Sequence, residues 1–559
     1  MNRNEGNELY LKAQKLALRD YREKMLAGQS PFLPVLDDIL QNVPVENQIP
    51  LGQVDIPLNL LVGTKTTGRT AAFASNFMPL LDLKTEFASK WVNLCLSHLE
   101  EGIRDPIRCY EYMGRFYVQE GNKRVSVLKY FDATSILGNV IRIVPQYSED
   151  PAVQMYYEFM HYYPITQTYL LTFTKPGSYA RLQKILGKGP DEKWSDEDRV
   201  EIMSLYNWVE KAFLAHRGAR LSVTAGDVLL LLLRVYTMKE LADSSPSELS
   251  EKLDALWDDV LALQKGDPVQ VSDKPAEPKQ AGLLDRILPG KRTAPTHLKV
   301  AFVHERTPGT SSWTSQHEFG RTQLDTVFEG QVETVAYFNA VPGENADALV
   351  EQAITDGADV VFTTSPKLVG ASLRAAVKHP QVRILNCSME MPYASIRTYY
   401  TRVYEAKFIT GAIAGAMAAG DRIGYVADYP SYGVPANINA FALGARMANP
   451  RARIELLWTC LPDQTDPLHT FTQKGISVIS GRDAPTPNRP QREFGTFLVG
   501  PGGVLQDLAT PFWHWGQFYE NVIRTVLNGG WVRDKSGTDG RAVNYWWGMN
   551  SGVMDVLLS

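Results

Sequence analysis

Residues 424–450, GYVADYPSYGVPANINAFALGARMANP, pass from an apolar strand through a turn carrying Pro435 into a helix. The same alternation extends on both sides. Upstream come strand LKVAFVHE, helix TSQHEFGRTQLDTVF, strand QVETVAYF, helix NADALVEQAITDG, strand DVVFTT, helix VGASLRAAVKH and strand VRILNCS, then helix YEAKFITGAIAGAMAA. Downstream come strand RIELLWT, helix DPLHTFTQKG and strands ISVIS and EFGTFLV. Strands alternating with helices imply parallel β-α-β units. Two such series imply two doubly wound halves. In such sheets a ligand lies beyond the carboxyl ends of the strands, which between two lobes means the cleft.

The remainder of the chain differs in character. Residues 1–147 form a mixed segment: a helix over 8–27, another from Lys84 to Glu101, strands CYEYM and RFYVQE joined at Gly114, a helix from Val125 to Phe131 and a closing strand NVIRIVPQ. Residues 148–263 carry aromatic-rich helical patterns and imply an all-α domain, with Ser195/Asp198 as a capping pair and Ser245-Pro246 as a helix start. Residues 264–296 are rich in Pro, Gly and charge and read as a linker, with a short helix expected at LLDRIL. Residues 297–559 are the two-lobed module.

The chain has 559 residues, a net charge of -5 and 21% charged residues. That balance fits a soluble protein and gives no general pull toward nucleic acid. Cys95, Cys109, Cys387 and Cys460 form no CxxC pair and have no His at zinc-ligand spacing, so buried thiols are expected and no metal site. The apolar run Val228–Leu233 is too short to span a membrane, which takes ~20 residues. The polar start MNRNEGNELYLKAQKLALRDYREK lacks the apolar core of an export signal, so a cytoplasmic location is expected.

The stretches SSWTSQHEFGRTQLD, VVFTTSP, TRVYEAKFITGAIAGAMA and 424–450 together resemble the basic membrane protein (BMP) family of solute-binding proteins, which bind purine bases or nucleosides. The resemblance covers about Leu298 to Trp531. It implies a periplasmic-binding-protein-like fold of type I and a purine ligand. A flat purine needs an aromatic surface and a few fixed polar groups in a dry cleft.

Trp313, in the loop after the first strand, is the candidate stacking ring, or else a packing residue. Thr314 belongs to the same motif. His317 lies one helical turn on and can share a face with Trp313, or be a core or capping histidine. Thr363, Thr364 and Ser365 end a buried strand, where they can meet a ligand edge or cap the next helix. Asn437 and Asn439 open a helix and can read a base edge, or shape the turn. Asp483 stands where the family has an acidic ligand contact, or is another loop aspartate. Trp513, with His514 and Trp515, resembles the family's late Trp-containing helix, and at least one of the two tryptophans suits core packing. Where the family has Asp before the aromatic this chain has Ser311 and Ser312, which favours a base or altered ligand over a standard nucleoside.

IRDPIRCYEYMGRFYVQEGNKRVSVLKYFDA resembles the ParB N-terminal/sulfiredoxin superfamily, an α+β module. A Gly-opened helix start at Gly121, Asn122, Lys123 and Arg124 suits a phosphate, or is a solvated basic turn. The loop with Lys65, Thr66 and Arg69 has a phosphate-loop composition without being a Walker A motif, or is a polar surface loop. The turn lacks sulfiredoxin's cysteine and ParB's glutamate, so catalytic residues are not assigned, no cofactor is expected, and an enzyme is the lesser expectation. The chain thus reads as a cytoplasmic purine-binding regulatory receptor. The alternatives are a nucleotide- or phosphate-handling enzyme under purine control and, more weakly, a DNA-binding regulator, for which no basic recognition helix is evident.

Overall fold

The computed structural model describes residues 3–264, 269–273, 295–389, 393–428, 430, 433–461, 466–484, 494–531 and 542–559, with the side chains of Arg69, Val269 and Gln270 outside that description. The helix expected at LLDRIL lies outside the described residues. The chain divides into two compact units: Met1–Glu210 with Thr224–Leu230, and Lys211–Val223 with Leu231–Ser559.

The first unit is built on a five-stranded sheet in the order Val45–Pro57, Ser135–Pro145, Ile107–Tyr112, Arg115–Glu120, Leu61–Thr64. Ile107–Tyr112 and Arg115–Glu120 are the hairpin expected around Gly114, and pair antiparallel. The long strand Val45–Pro57 escaped the sequence reading. Pro50 and Gly52 break its pattern, and the sheet tolerates them because this is an edge strand with register shifts at 45/47 and 50/52.

Helices Arg3–Leu26 and Glu86–Glu100 pack around Tyr10 and Trp91, whose rings meet edge to face at 5.4 Å. Trp91 Nε1 donates to Ser126 Oγ at 2.9 Å, tying this layer to helix Asn122–Tyr130. On the helical side, buried Glu111 pairs with buried Arg142. Glu111 also accepts from Tyr156 Oη at 2.8 Å, and Arg142 donates to Tyr169 Oη at 2.7 Å. A buried ion pair needs such added hydrogen bonds to offset desolvation. Ser195 and Asp198 bond reciprocally, as the capping pair requires.

The second unit holds two sheets. One runs Val269–Ser272, Ala542–Trp547, Arg397–Thr401, Arg383–Asn386, Val360–Thr363, Leu298–Val303, Val332–Tyr337, and every pairing is parallel. Its first strand falls inside 264–296, so part of that linker segment is sheet. The other runs Arg453–Trp458, Arg422–Ala427, Val478–Ser480, Thr496–Val499, Leu505–Trp513, Met554–Leu558, parallel over the first three and antiparallel thereafter. The chain crosses from one sheet to the other after Thr401, after Trp513 and after Trp547. The two-lobed α/β architecture expected from the alternation is therefore present.

Residues 231–263 belong to this unit as well. Asp259 accepts from the backbone N–H groups of Ala394 at 2.7 Å and Ser395 at 3.2 Å, and Arg374 donates to the Arg234 carbonyl at 2.9 Å. Cys95, Cys109, Cys387 and Cys460 are free thiols, three of them buried. Among the described residues no helix is long and apolar enough to cross a membrane.

Candidate functional site

The carboxyl ends of Leu298–Val303, Val360–Thr363 and Arg383–Asn386 lie side by side in parallel register. Polar residues follow each of them: His304 and Glu305, Thr364 and Ser365, and Ser388. Helix Ser312–Val327 starts beside them, capped by Ser311, whose Oγ accepts from Thr314 N at 3.2 Å. Trp313 is therefore the second residue of a helix and not part of a loop, because Ser311 takes the capping position. Its indole Nε1 donates to the Thr364 carbonyl at 2.7 Å. The ring is partly buried; it meets His317 edge-on at 4.8 Å and lies at 30° to Tyr400, with 6.2 Å between centroids. Trp313 and Thr364 are thus brought together, and Tyr400, unmarked in the sequence reading, joins them.

His317 is fully buried. It stacks on Trp515 at 4.3 Å and bonds through Nδ1 to Tyr519 Oη. Burial pushes its imidazole well below the ordinary histidine range, with His304 adding to the effect, so the ring is neutral. Its Nε2 and the Trp515 Nε1 have no partner among the described residues. Close crossing of helices Ser312–Val327 and Trp515–Leu527 makes this stack: a Cβ on Gly320 would lie 2.8 Å from Gly516 N, and one on Gly516 1.9 Å from Gln323 Oε1. Thr314 is buried at the same helix start.

The strand-end hydroxyls are largely committed. Thr364 Oγ1 bonds His304 Nδ1 at 2.9 Å, and His304 Nε2 meets Glu318 at 3.0 Å. Ser365 Oγ donates to Glu305 and accepts from Lys367 N at 3.3 Å, which makes it the cap of the turn Pro366–Leu368. Trp513 ends a strand instead of sitting in a helix. It is buried, and its Nε1 donates to Thr401 Oγ1 at 3.1 Å, so it packs the core where the chain changes lobe.

In the second lobe, Asp483 follows Val478–Ser480 and pairs with Lys407, a lysine whose side chain is 2% exposed. Burial alone would lower this ammonium's pKa, but Asp483 and Tyr425 beside it together more than offset that, so Lys407 stays charged. Lys407 also donates to Ser480 Oγ at 3.4 Å. The sequence did offer a signal for it. Lys407 lies on the stripe of Val403, Ala406, Thr410 and Ala414, all buried in helix Val403–Met417.

Asp483 lines a cavity of about 350 Å³ with Gln316 from the first lobe and Asp507, whose Oδ1 is buried without a partner among the described residues. Asn437 and Asn439 sit inside helix Val434–Ala448, not at its opening, because Gly433 (φ 76°) is the cap and Pro435 occupies the first turn. Asn437 is half-buried and Asn439 exposed.

In the first unit, Leu61–Thr64 and Arg115–Glu120 are parallel neighbours, so the loop after the former and the turn after the latter share one end of the sheet. Gly121 (φ 111°) caps helix Asn122–Tyr130, which starts three residues earlier than its apolar pattern predicts. Most of the basic side chains expected to meet a phosphate have other partners. Arg124 donates to the carbonyls of Asp105 at 2.9 Å and Pro106 at 2.8 Å; Lys65 pairs with Asp37; Lys123 lies 4.7 Å from the Phe87 ring centroid. Thr66 precedes the turn Thr67–Ala72, which contains Arg69. Asn122 is buried, and its Oδ1 has no partner among the described residues. Among the described residues no group of His, Cys, Asp and Glu is arranged to hold a metal ion.

Residues 297–460 match the family described as ABC transporter substrate-binding protein PnrA-like (Bmp), and so carry a substrate-binding domain of that type. A purine-binding protein of Brucella abortus is 26% identical over 279 residues, 48% of this chain and 77% of its own length. A protein of Haloferax volcanii named as an ABC transporter glucose-binding protein is 26% identical over 267 residues, 46% of this chain and 66% of its own length, just under two thirds of that relative. A solved ABC transporter solute-binding protein of Conexibacter woesei superposes with a TM-score of 0.36 at 16% identity, over 46% of this chain and 88% of its own.

Proposed function

We propose that the second unit binds a purine base or nucleoside between its two lobes and that the chain acts as a purine-responsive receptor. The observation that carries this reading is Trp313, a partly exposed indole held by its own N–H at the carboxyl end of the sheet, beside Tyr400. It lies within the segment that matches the PnrA-like substrate-binding family, and a relative of the chain is named as purine-binding. An indole and a phenol supply apolar faces for a flat heterocycle. Asp483 and Gln316, one from each lobe, line a cavity that Trp313 and Tyr400 do not line, and on lobe closure would supply acceptor and donor groups for the heterocycle's edge. A ligand touching both lobes stabilises the closed arrangement only through contacts the open one lacks.

Calorimetry with adenine, guanine, hypoxanthine, their nucleosides and glucose tests the reading. A purine should release heat that Trp313→Ala abolishes. Heat with glucose alone would assign the site to a sugar, and no heat with any purine would sink the proposal. Purine-dependent hydrogen exchange within the first unit would support a receptor role, and its absence would leave a simple binding protein.

A second reading rests on Asn122, buried at the start of a helix with an unpartnered oxygen. It would make the Gly121 turn a site for a phosphorylated small molecule. Thermal unfolding of the full chain with ATP, CTP and GTP, compared with Asn122→Ala, tests it. The same melting temperature with and without every nucleotide excludes it.

A further inference from the structure

The first unit contains a cavity of about 610 Å³ that the purine reading leaves unused. Its volume lies in the range of small-molecule sites. Lys129, in the last turn of helix Asn122–Tyr130, lines it. The Lys129 ammonium donates to the Leu61 carbonyl at 2.9 Å and lies 5.0 Å from the Phe77 ring centroid. No carboxylate among the described residues lies within ion-pair distance of it. The other cation in the cavity wall is different: Arg19 is paired with Glu23 at 2.8 Å.

An ammonium in this position has one carbonyl where three acceptors would satisfy it. Removal from water without a counter-ion disfavours the charged form, and burial lowers the Lys129 pKa to about 8. A carboxylate entering the cavity would supply the missing charge. The same wall carries Asp20, whose Oδ2 accepts from Ser75 at 2.6 Å, and Asp132 at the rim, with the Asn59 amide also lining the space. The cavity thus presents an uncompensated cation in its wall and two carboxylates, Asp20 and Asp132, around it; a third, Glu23, is paired with Arg19. A simple anion would meet repulsion from Asp20 and Asp132, and a simple cation would meet Lys129.

We infer that this cavity binds a small zwitterion of the α-amino acid class, with its carboxylate on Lys129 and its ammonium toward Asp20 and Asp132. The site is separate from the purine cleft, so each stands or falls without the other.

The test is a titration of the full chain with each proteinogenic amino acid by calorimetry. At least one should bind saturably. Lys129→Met should weaken it about tenfold or more, the worth of one charge-assisted bond. Trp313→Ala should leave it unchanged. Removing the amine from the bound compound should cost less affinity in Asp132→Asn, where Asp20 alone remains to meet it, than in the native chain. That second comparison decides the matter if Lys129→Met fails to fold, a point checked by circular dichroism. The proposal is overturned if no amino acid binds at concentrations up to about 10 mM, where even a millimolar site would register. It is also overturned if a folded Lys129→Met binds as well as the native chain, or if the deaminated compound loses equally in both.

Discussion

At Lys407, an ammonium whose side chain is 2% exposed meets the carboxylate of Asp483, 25% exposed. Removing one partner of such a pair leaves the other charge uncompensated, at a cost of about 3 kcal/mol or more when both are buried, and less where one reaches solvent. Lys407→Met should therefore lower the midpoint of denaturant unfolding, and adding Asp483→Asn should recover part of the loss. Additive destabilisation in the double variant would mean that the pair does not act as a unit.

Trp313→Phe should keep the fold and lose the Nε1 bond to Thr364. A weaker purine affinity with an unchanged melting temperature would mark that bond as one that positions the ring. Lys129 supplies a pH test. Its pKa falls from 10.5 in the unfolded chain to about 8 in the folded one, so between these values the unfolded state binds more protons. Its contribution to stability therefore rises with pH across that window, and its penalty is complete below about pH 8. Relative to Lys129→Met, the native chain should gain stability from pH 8 toward pH 10, and parallel pH profiles would contradict this.

Helices Val403–Met417 and Val434–Ala448 cross at near backbone contact. A Cβ on Gly444 would lie 1.9 Å from the Phe408 carbonyl oxygen, and one on Gly411 2.1 Å from that of Phe441. The obstructing atoms are backbone, so the helices must part to admit a methyl group. Gly444→Ala should destabilise the second unit by about 1–3 kcal/mol, whereas Gly420→Ala, with nothing within 4 Å of the added carbon, should be close to neutral. Equal melting temperatures for the two variants would refute the close crossing.

The same elements show what a sequence can convey. Strand and helix alternation over 298–480 was legible because local apolar periodicity encodes it. The partners of Thr364, Ser365, Lys65 and Arg124 were not. His304, Glu305, Asp37 and the Asp105 carbonyl reach them from distant segments, and a basic loop built for a phosphate has the same composition as one tied to its own backbone. Trp313 moved from loop to helix because Ser311, upstream of the expected start at Thr314, takes the capping position.

Across the whole molecule, the division into two units does not follow the Pro- and Gly-rich segment at 264–296. Leu231–Ser559 clusters as one body with Lys211–Val223, and so includes helical residues that precede that segment. Asp259, fully buried in helix Trp257–Ala262, accepts two backbone N–H bonds from the loop after Arg383–Asn386, and Val269–Ser272 forms the edge strand beside Ala542–Trp547. A fragment starting at residue 297 would lose both, exposing the Ala542–Trp547 edge and leaving the N–H groups of Ala394 and Ser395 without their acceptor. Unpaired strand edges favour association between chains. The fragment 297–559 should therefore melt below the corresponding transition of the full chain and aggregate on heating. A fragment starting at residue 211 should retain that transition. Asp259→Ala in the full chain should move the transition in the same direction as truncation, because it removes the acceptor of the two N–H groups. A saturating purine should raise this transition by the amount its affinity dictates. Equal melting of the 297 and 211 fragments would mean that residues 231–272 ride on the binding unit without supporting it.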